Sequence, residues 1–168
     1  MHLDGSLRVA PLIERGPVVD VGSGGGSPGI PLAAARPDLG FHLLESSRKK
    51  CAFLEEIAAD FPNVEVVCAR AEEHAAAEGR DAYAAAVSRA LAPPPVAAEW
   101  CLPLVAAGGK VLLFVGPSAD AEPVARVAAQ LGAEGPEEAD GFFLLRKVRP
   151  TPEGFPRRAG VAKNRPLA

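Results

Sequence analysis

No stretch of this sequence approaches the ~20 consecutive apolar residues that a membrane-spanning helix needs. Nor does its N-terminus have the charged-then-apolar layout of a secretion signal. A soluble, cytoplasmic protein is therefore expected. Cysteine is scarce: Cys51, Cys68 and Cys101 are odd in number and widely spaced, with no C-x-x-C pair. That pattern predicts no disulfide framework, only buried or half-buried thiols in a reducing compartment. The three histidines are scattered, so no metal site is expected. A second domain has no room either, since 168 residues make one ordinary domain with a single core.

What charge there is, is unevenly placed. The net charge of -3 conceals a C-terminal segment, residues 146–168, with seven basic groups against the single acid Glu153. The preceding 145 residues hold 11 basic and 20 acidic groups. An acidic body with a basic end points to a polyanionic partner.

The chain is organised around VVDVGSGGGSPGIPLAAARP, residues 18–37. Val18, Val19 and Val21 read as a buried strand, and Ile30, Leu32 and the alanines at 33 to 35 as the face of a helix. Between them lie Gly22, Gly24, Gly25 and Gly26, which let the backbone turn sharply and approach a ligand closely. A dinucleotide fingerprint, G-x-G-x-x-G, requires glycine at the sixth place, where this chain has Ser27. The run reads instead as D-x-G-x-G-x-G from Asp20 and resembles motif I of the S-adenosylmethionine-dependent methyltransferases. In that family the glycine loop passes under the methionine part of the cofactor.

Residues 1–16 read as a short lead-in, with Leu7, Val9 and Leu12 available to pack beneath a sheet. FHLLE, residues 41–45, predicts a second strand ending in Glu45, about twenty residues beyond the glycine loop. A nucleotide fold places an acid there to accept hydrogen bonds from ribose hydroxyls. Ser46 or Ser47 caps a helix running to about residue 60, with Arg48, Lys49 and Lys50 in its first turn. NVEVVCARAEE (63–73) predicts a third strand running out at Arg70-Ala71-Glu72. A fourth spans Tyr83 to Ser88 and leads into SRALAPPP, whose prolines should keep the chain extended until a helix near Val96 to Val105. KVLLFVG then reads as a strand buried on both faces, 119–131 as an amphipathic helix, and GFFLLRKV (141–148) as the last strand.

Strands alternating with helices imply an α/β fold with a doubly wound, mostly parallel sheet spanning residues 1–149, followed by a basic tail over 150–168. Gly22, Glu45, Ala71-Glu72 and Ser88-Arg89 all fall at the C-terminal ends of strands, and so converge on one crevice.

With those blocks in place the resemblance becomes specific. DVGSGGGSPGIPL, LLESSRKKCAFLEE, RAEE, SRALAP and EWCLPLVAAGGKVLL together resemble the RsmG (GidB) family, methyltransferases that modify N7 of a guanine in small-subunit (16S) ribosomal RNA. HLDGSL resembles that family's HLLDSL, and TPEGFPRRAGVAKNRPL its basic C-terminal tail. The resemblance implies a Rossmann-like methyltransferase fold with S-adenosyl-L-methionine held by Gly22, Gly24, Gly26, Ser27, Glu45, Ser46, Ser47, Ala71, Glu72 and Arg89. It also implies a monomer acting on ribosomal RNA or an assembling 30S subunit. Three departures stand out: family members usually carry an extra N-terminal helical segment, Ser27 replaces a usual Phe or Leu, and Val115 stands where a lysine is often found.

No catalytic triad is needed for that chemistry. Guanine N7 is an unprotonated acceptor on the major-groove edge, so no general base is expected and catalysis reduces to orientation and exclusion of water. An arginine forked onto both O6 and N7 would block the reacting lone pair. Arg89 is therefore expected to hold a phosphate, O6 alone, or the cofactor pocket through an acidic neighbour, or else to brace its own loop through an ion pair. Arg48, Lys49, Lys50, Arg157, Arg158, Lys163 and Arg165 are the candidate RNA contacts, the last four on a Gly- and Pro-rich tail of mobile composition. A catalytically impaired homologue and a small-molecule methyltransferase remain the alternatives.

Overall fold

A computed structural model describes residues 3–89 and 91–168, leaving Met1 and His2 of the opening block and Ala90 of SRALAP outside the described residues. The strands β1 (Val18–Val21), β2 (Phe41–Glu45), β3 (Val64–Cys68), β4 (Tyr83–Arg89), β5 (Val105–Phe114), β6 (Ala133–Ala139) and β7 (Phe142–Lys147) form one sheet ordered β3-β2-β1-β4-β5-β7-β6. The first five are mutually parallel, while β7 runs antiparallel to both β5 and β6. Helices α1 (Leu3–Val9) and α2 (Gly29–Ala35) supply side chains to one apolar cluster with Val18, Phe41 and Val87. Helices α5 (Pro94–Cys101) and α6 (Ala121–Gln130) supply the other, with Val19, Val21 and Val111. Adjacent valines of β1 thus point into opposite clusters, which is why the strand is apolar at nearly every position.

The predicted strands at 18–21, 41–45 and 83–88 lie where expected, as does helix α3 (Arg48–Ala58), whose first turn is capped by Ser47. Other segments differ. The third strand stops at Cys68, and Ala71–Ala75 turns into a short helix, α4, with Glu72 and Glu73 in its first turn where the helix dipole favours them. Pro94 opens α5 instead of prolonging an extended segment, because the first turn of a helix does not need the N–H that proline lacks. Strand β6 was not expected: AEGPEEA has little β propensity, but an edge strand tolerates charge and proline, and the register shifts between Glu134 and Glu137. In the lead-in, Val9, Ala10 and Ile13 are buried while Leu7 is exposed.

Two further expectations are corrected. Cys51 and Cys68 form a disulfide with Cα atoms 5.9 Å apart, because α3 packs back on β3 and brings distant positions together, which spacing alone does not reveal. Cys101 is the free, buried thiol. The C-terminal segment is also not a loose tail. The ammonium of Lys147, fully buried, donates to the carbonyls of Leu102 (2.6 Å) and Val105 (2.8 Å), to Thr151 Oγ1 (2.8 Å), and to Asp81 (3.2 Å). Arg80 donates to the carbonyls of Thr151 and Phe155, and Arg157 pairs with the buried carboxylate of Glu99. The last helix, α7 (Val161–Asn164), buries Ala162.

Asp20 anchors the turn between β1 and α2. It is fully buried, and its Oδ2 accepts the Gly29 N–H at 2.9 Å. A side chain at Gly29 would overlap Leu43 and lie 2.7 Å from Asp20 Oδ2, so this glycine, three positions after Gly26, allows the close helix-on-sheet approach. Gly29→Ala should lower stability by about 1–3 kcal/mol, read as a reduced denaturation midpoint. Burial pushes the Asp20 carboxyl up to about 7. The folded chain therefore holds this proton more tightly than the unfolded chain does, and the stability contribution, complete below about pH 4, declines as pH rises towards 7. Denaturation at pH 5 and pH 8 should show that decline in the parent, and Asp20→Asn should lack roughly 3 kcal/mol of it.

Candidate active site

The C-terminal ends of β1, β2, β3 and β4 open into one cleft of about 510 Å³. Parallel strands put their tips at the same edge, so residues far apart in sequence meet there without any of them being locally unusual. Gly22, Gly24 and Ser27 line it from the glycine turn, Glu45 and Ser46 from the tip of β2, Ala71 and Glu72 from the start of α4, and Arg89 from the end of β4. Lys50, expected from sequence to meet RNA, also lines it. Of the expected cofactor residues only Gly26 and Ser47 stand back from the wall. Gly26 is buried within the turn and its N–H donates to the Ser23 carbonyl at 2.7 Å; Ser47 caps α3.

Glu45 ties the floor together. Its Oε1 accepts the Gly24 N–H at 3.0 Å and its Oε2 accepts the Ser47 N–H at 2.8 Å. The carboxylate thereby joins the glycine turn to the start of α3. Each oxygen retains a lone pair, so the acid can still accept from a hydroxyl of a bound ribose. Gly22 reaches the cleft at φ 72°, a left-handed conformation that glycine adopts without strain, and a side chain there would overlap Leu91.

Sequence reasoning missed Leu91 and Trp100, both in the wall. Trp100 lies on α5, the helix that covers this end of the sheet, and only the fold carries it to the cleft. Its indole Nε1 and the Nη1 of Arg89 are buried donors without an acceptor among the described residues. Uncompensated buried donors are costly, typically about 1–3 kcal/mol each. Opposite the glycine turn, Glu72 Oε2 accepts the Gly160 N–H at 2.8 Å, which fastens the C-terminal segment beside the wall.

The described residues hold no group of three or more His, Cys, Asp or Glu side chains that could bind a metal ion. They do suit a nucleoside carrying an amino-acid tail: a glycine turn that a ligand can approach closely, and an acid with lone pairs free to accept from ribose hydroxyls. The volume lies within the usual range of about 300–1,000 Å³ for such ligands.

Glu45→Gln removes the charge that holds the turn and leaves one backbone N–H facing an amide NH2. Hydrogen exchange at the Gly24 and Ser47 amides should accelerate by roughly 10-fold in the variant, as expected when a charge-assisted bond is removed, with the rest of the sheet unchanged.

A family profile described as GidB, rRNA small subunit methyltransferase G, matches residues 1–134. Proteins named ribosomal RNA small subunit methyltransferase G are similar along the chain. That of Rubrobacter xylanophilus is 40% identical over 179 residues, covering 96% of this chain and 69% of its own length. That of Symbiobacterium thermophilum is 39% identical over 181 residues, covering 96% and 74%. Among solved structures, M. jannaschii TYW2 in complex with AdoMet superposes with a TM-score of 0.63 at 17% identity, covering 86% of this chain and 72% of that one. A SAM-dependent O-methyltransferase from Thermotoga maritima gives 0.64 at 13% identity, covering 89% and 67%. The fold is thus that of the S-adenosylmethionine-dependent methyltransferases, and the chain belongs to the GidB family of small-subunit ribosomal RNA methyltransferases.

Proposed function

We propose that this protein transfers a methyl group from S-adenosyl-L-methionine to N7 of a guanine in small-subunit (16S) ribosomal RNA, acting as a cytoplasmic monomer. The observation that carries the reading is the convergence of four strand tips of a family member on one cleft in which Glu45 and the glycine turn present the groups that such a nucleoside needs. When bound, the co-substrate supplies an electrophilic methyl on a sulfonium. The N7 lone pair forms the new bond while the departing electron pair stays on sulfur, so no proton has to be removed and the base becomes a cation. The residues on the cleft wall accordingly bind, orient and exclude water. No residue of the wall is therefore assigned the part of a general base.

Cationic side chains flank the cleft on two sides. Arg48, Lys49 and Lys50 are exposed in the first turn of α3, with Lys50 at the cleft itself. Arg158, Lys163 and Arg165 are exposed on the C-terminal segment that Gly160 fastens to Glu72. Arg157 differs from its neighbours: its guanidinium is bound to Glu99, with Nη2 to Oε2 at 2.6 Å, so we read it as a fastener of the segment and not as an RNA contact. Two positive rims on either side of a cleft suit a phosphate backbone that brings one base to the centre.

The test is transfer of labelled methyl from S-adenosylmethionine to small ribosomal subunits that lack the modification, with nucleoside mass spectrometry of the product and calorimetry of S-adenosylhomocysteine binding. Label recovered as 7-methylguanosine supports the proposal; a folded protein that takes up neither donor nor product overturns it. In the same assay, replacing Arg158, Lys163 and Arg165 together by alanine should weaken RNA binding. Its salt dependence should flatten by roughly 0.7–0.9 in log–log slope for every phosphate that the variant no longer neutralises, with product binding unchanged.

A further inference from the structure

The disulfide between Cys51 and Cys68 sits at the edge of the cleft, beside the tip of β2. Cys68 ends β3 and pairs in register with Glu45, while Cys51 lies one turn into α3, so the bridge adjoins the strand end from which the Glu45 carboxylate holds the glycine turn. Cys51 Sγ lies 3.2 Å from the Glu45 carbonyl oxygen, which also accepts the Ala69 N–H at 3.0 Å. The neighbours of the bridge are wall residues: Lys50 precedes Cys51, and Ala69, Arg70, Ala71 and Glu72 follow Cys68. The two sulfurs differ in access, since Cys68 is exposed and Cys51 is buried. Exposed disulfides are the labile ones, and in compartments that keep thiols reduced a disulfide is mostly transient and redox-sensing.

We propose that Cys51 and Cys68 form a redox-sensitive clamp on the wall of the donor cleft, opened by a dithiol reductant and closed by a low-molecular-weight disulfide, with the closed form binding S-adenosyl-L-methionine more tightly. The proposal rests on the reading of the cleft as the donor's site and adds a modification that regulates it. In opening, a reductant thiolate attacks the exposed Cys68 sulfur, and the S–S bond breaks with its electron pair on Cys51, which takes up a proton. The second thiolate of the reductant then displaces Cys68, which is protonated in turn. Overall the two protein thiols gain two electrons and two protons, and the reductant leaves as its own disulfide. Cys51 suits the part of leaving group, because the N-terminal end of a helix and the preceding Lys49 and Lys50 favour a thiolate. Once protonated, its thiol can donate to the Glu45 carbonyl already beside it. Cys101 takes no part: it is a free thiol that burial pushes up and keeps protonated. With the clamp open, the segment from Ala69 to Glu72 is no longer tied to α3 through the bridge, and donor binding must order that wall itself.

Calorimetry of S-adenosylhomocysteine binding to the full chain, equilibrated with either glutathione disulfide or dithiothreitol, tests the clamp, with peptide mass spectrometry reporting the state of the sulfurs. The bridge between Cys51 and Cys68 should be present in the first sample and absent from the second, and the reduced protein should bind about 5-fold more weakly. Linkage requires the reciprocal effect: saturating S-adenosylhomocysteine should shift the thiol–disulfide equilibrium towards the bridge by the same factor. Cys68→Ser, a change at an exposed position, should bind as the reduced parent does in both buffers. Absence of the bridge in glutathione disulfide, equal affinity of the two forms, or a difference between buffers that persists in Cys68→Ser would overturn the clamp. Failure of the parent to bind S-adenosylhomocysteine in either form would instead remove the reading on which it rests.

Discussion

The grip of the Glu45 carboxylate on two backbone N–H groups is the constraint from which the rest of the site follows. A glycine-rich turn has no side chains with which to hold its own shape, and its conformational freedom must be limited from outside. Glu45 does so at Gly24 while fixing the entry to α3 at Ser47. Charge-assisted bonds of this kind are worth about 1.5–3 kcal/mol each, comparable to the cost of ordering a residue or two of turn. Asp20 plays the matching part from below, where its bond to Gly29 presses α2 onto the sheet. One acid above and one beneath thus shape a loop whose own sequence is nearly featureless.

This division explains what was legible from the chain. Val18 to Val21, Phe41 to Glu45 and the glycines between them announce strand, turn and crevice because each carries a local signature: β-branched runs, missing Cβ atoms, an acid at the expected interval. The tips of parallel strands follow once topology is granted, and so the sequence also points to Ala71, Glu72 and Arg89, which line the cleft. It does not point to Trp100 and Leu91, since nothing in the order of residues tells which face of α5, or which turn of the preceding loop, lies over the glycines. The pairing of Cys51 with Cys68 was hidden for the same reason: it depends on α3 folding back along β3. Strand β6 was hidden differently, because AEGPEEA gains its conformation from pairing with β7 and not from its own propensity.

Charge was legible as an asymmetry but not as an architecture. Lys147 and Arg157 belong to the basic surplus, yet one is buried among carbonyls and a carboxylate and the other is bound to Glu99. Their work is to hold residues 150–168 against the domain, which leaves Arg158, Lys163 and Arg165 as the outward charge of that segment. A segment rich in Gly and Pro need not be mobile when its few anchors are charged groups taken out of water, because leaving such groups unpaired is more costly than ordering the backbone between them.

Methyl transfer to N7, as proposed, asks for neither a base nor a nucleophile on the wall. When the acceptor atom already carries its lone pair unprotonated, rate depends on distance, angle and dryness, all of which are properties of backbone and packing. Such a site leaves few chemical signatures in its sequence: its residues are glycines, hydrogen-bonding acids and an arginine whose value lies in where it stops. Arg89 shows this most clearly. Its position follows from the end of β4 and its plane is set by Phe114 and Ser6. An arginine so placed owes its part in the wall to geometry, which no local pattern in the sequence records.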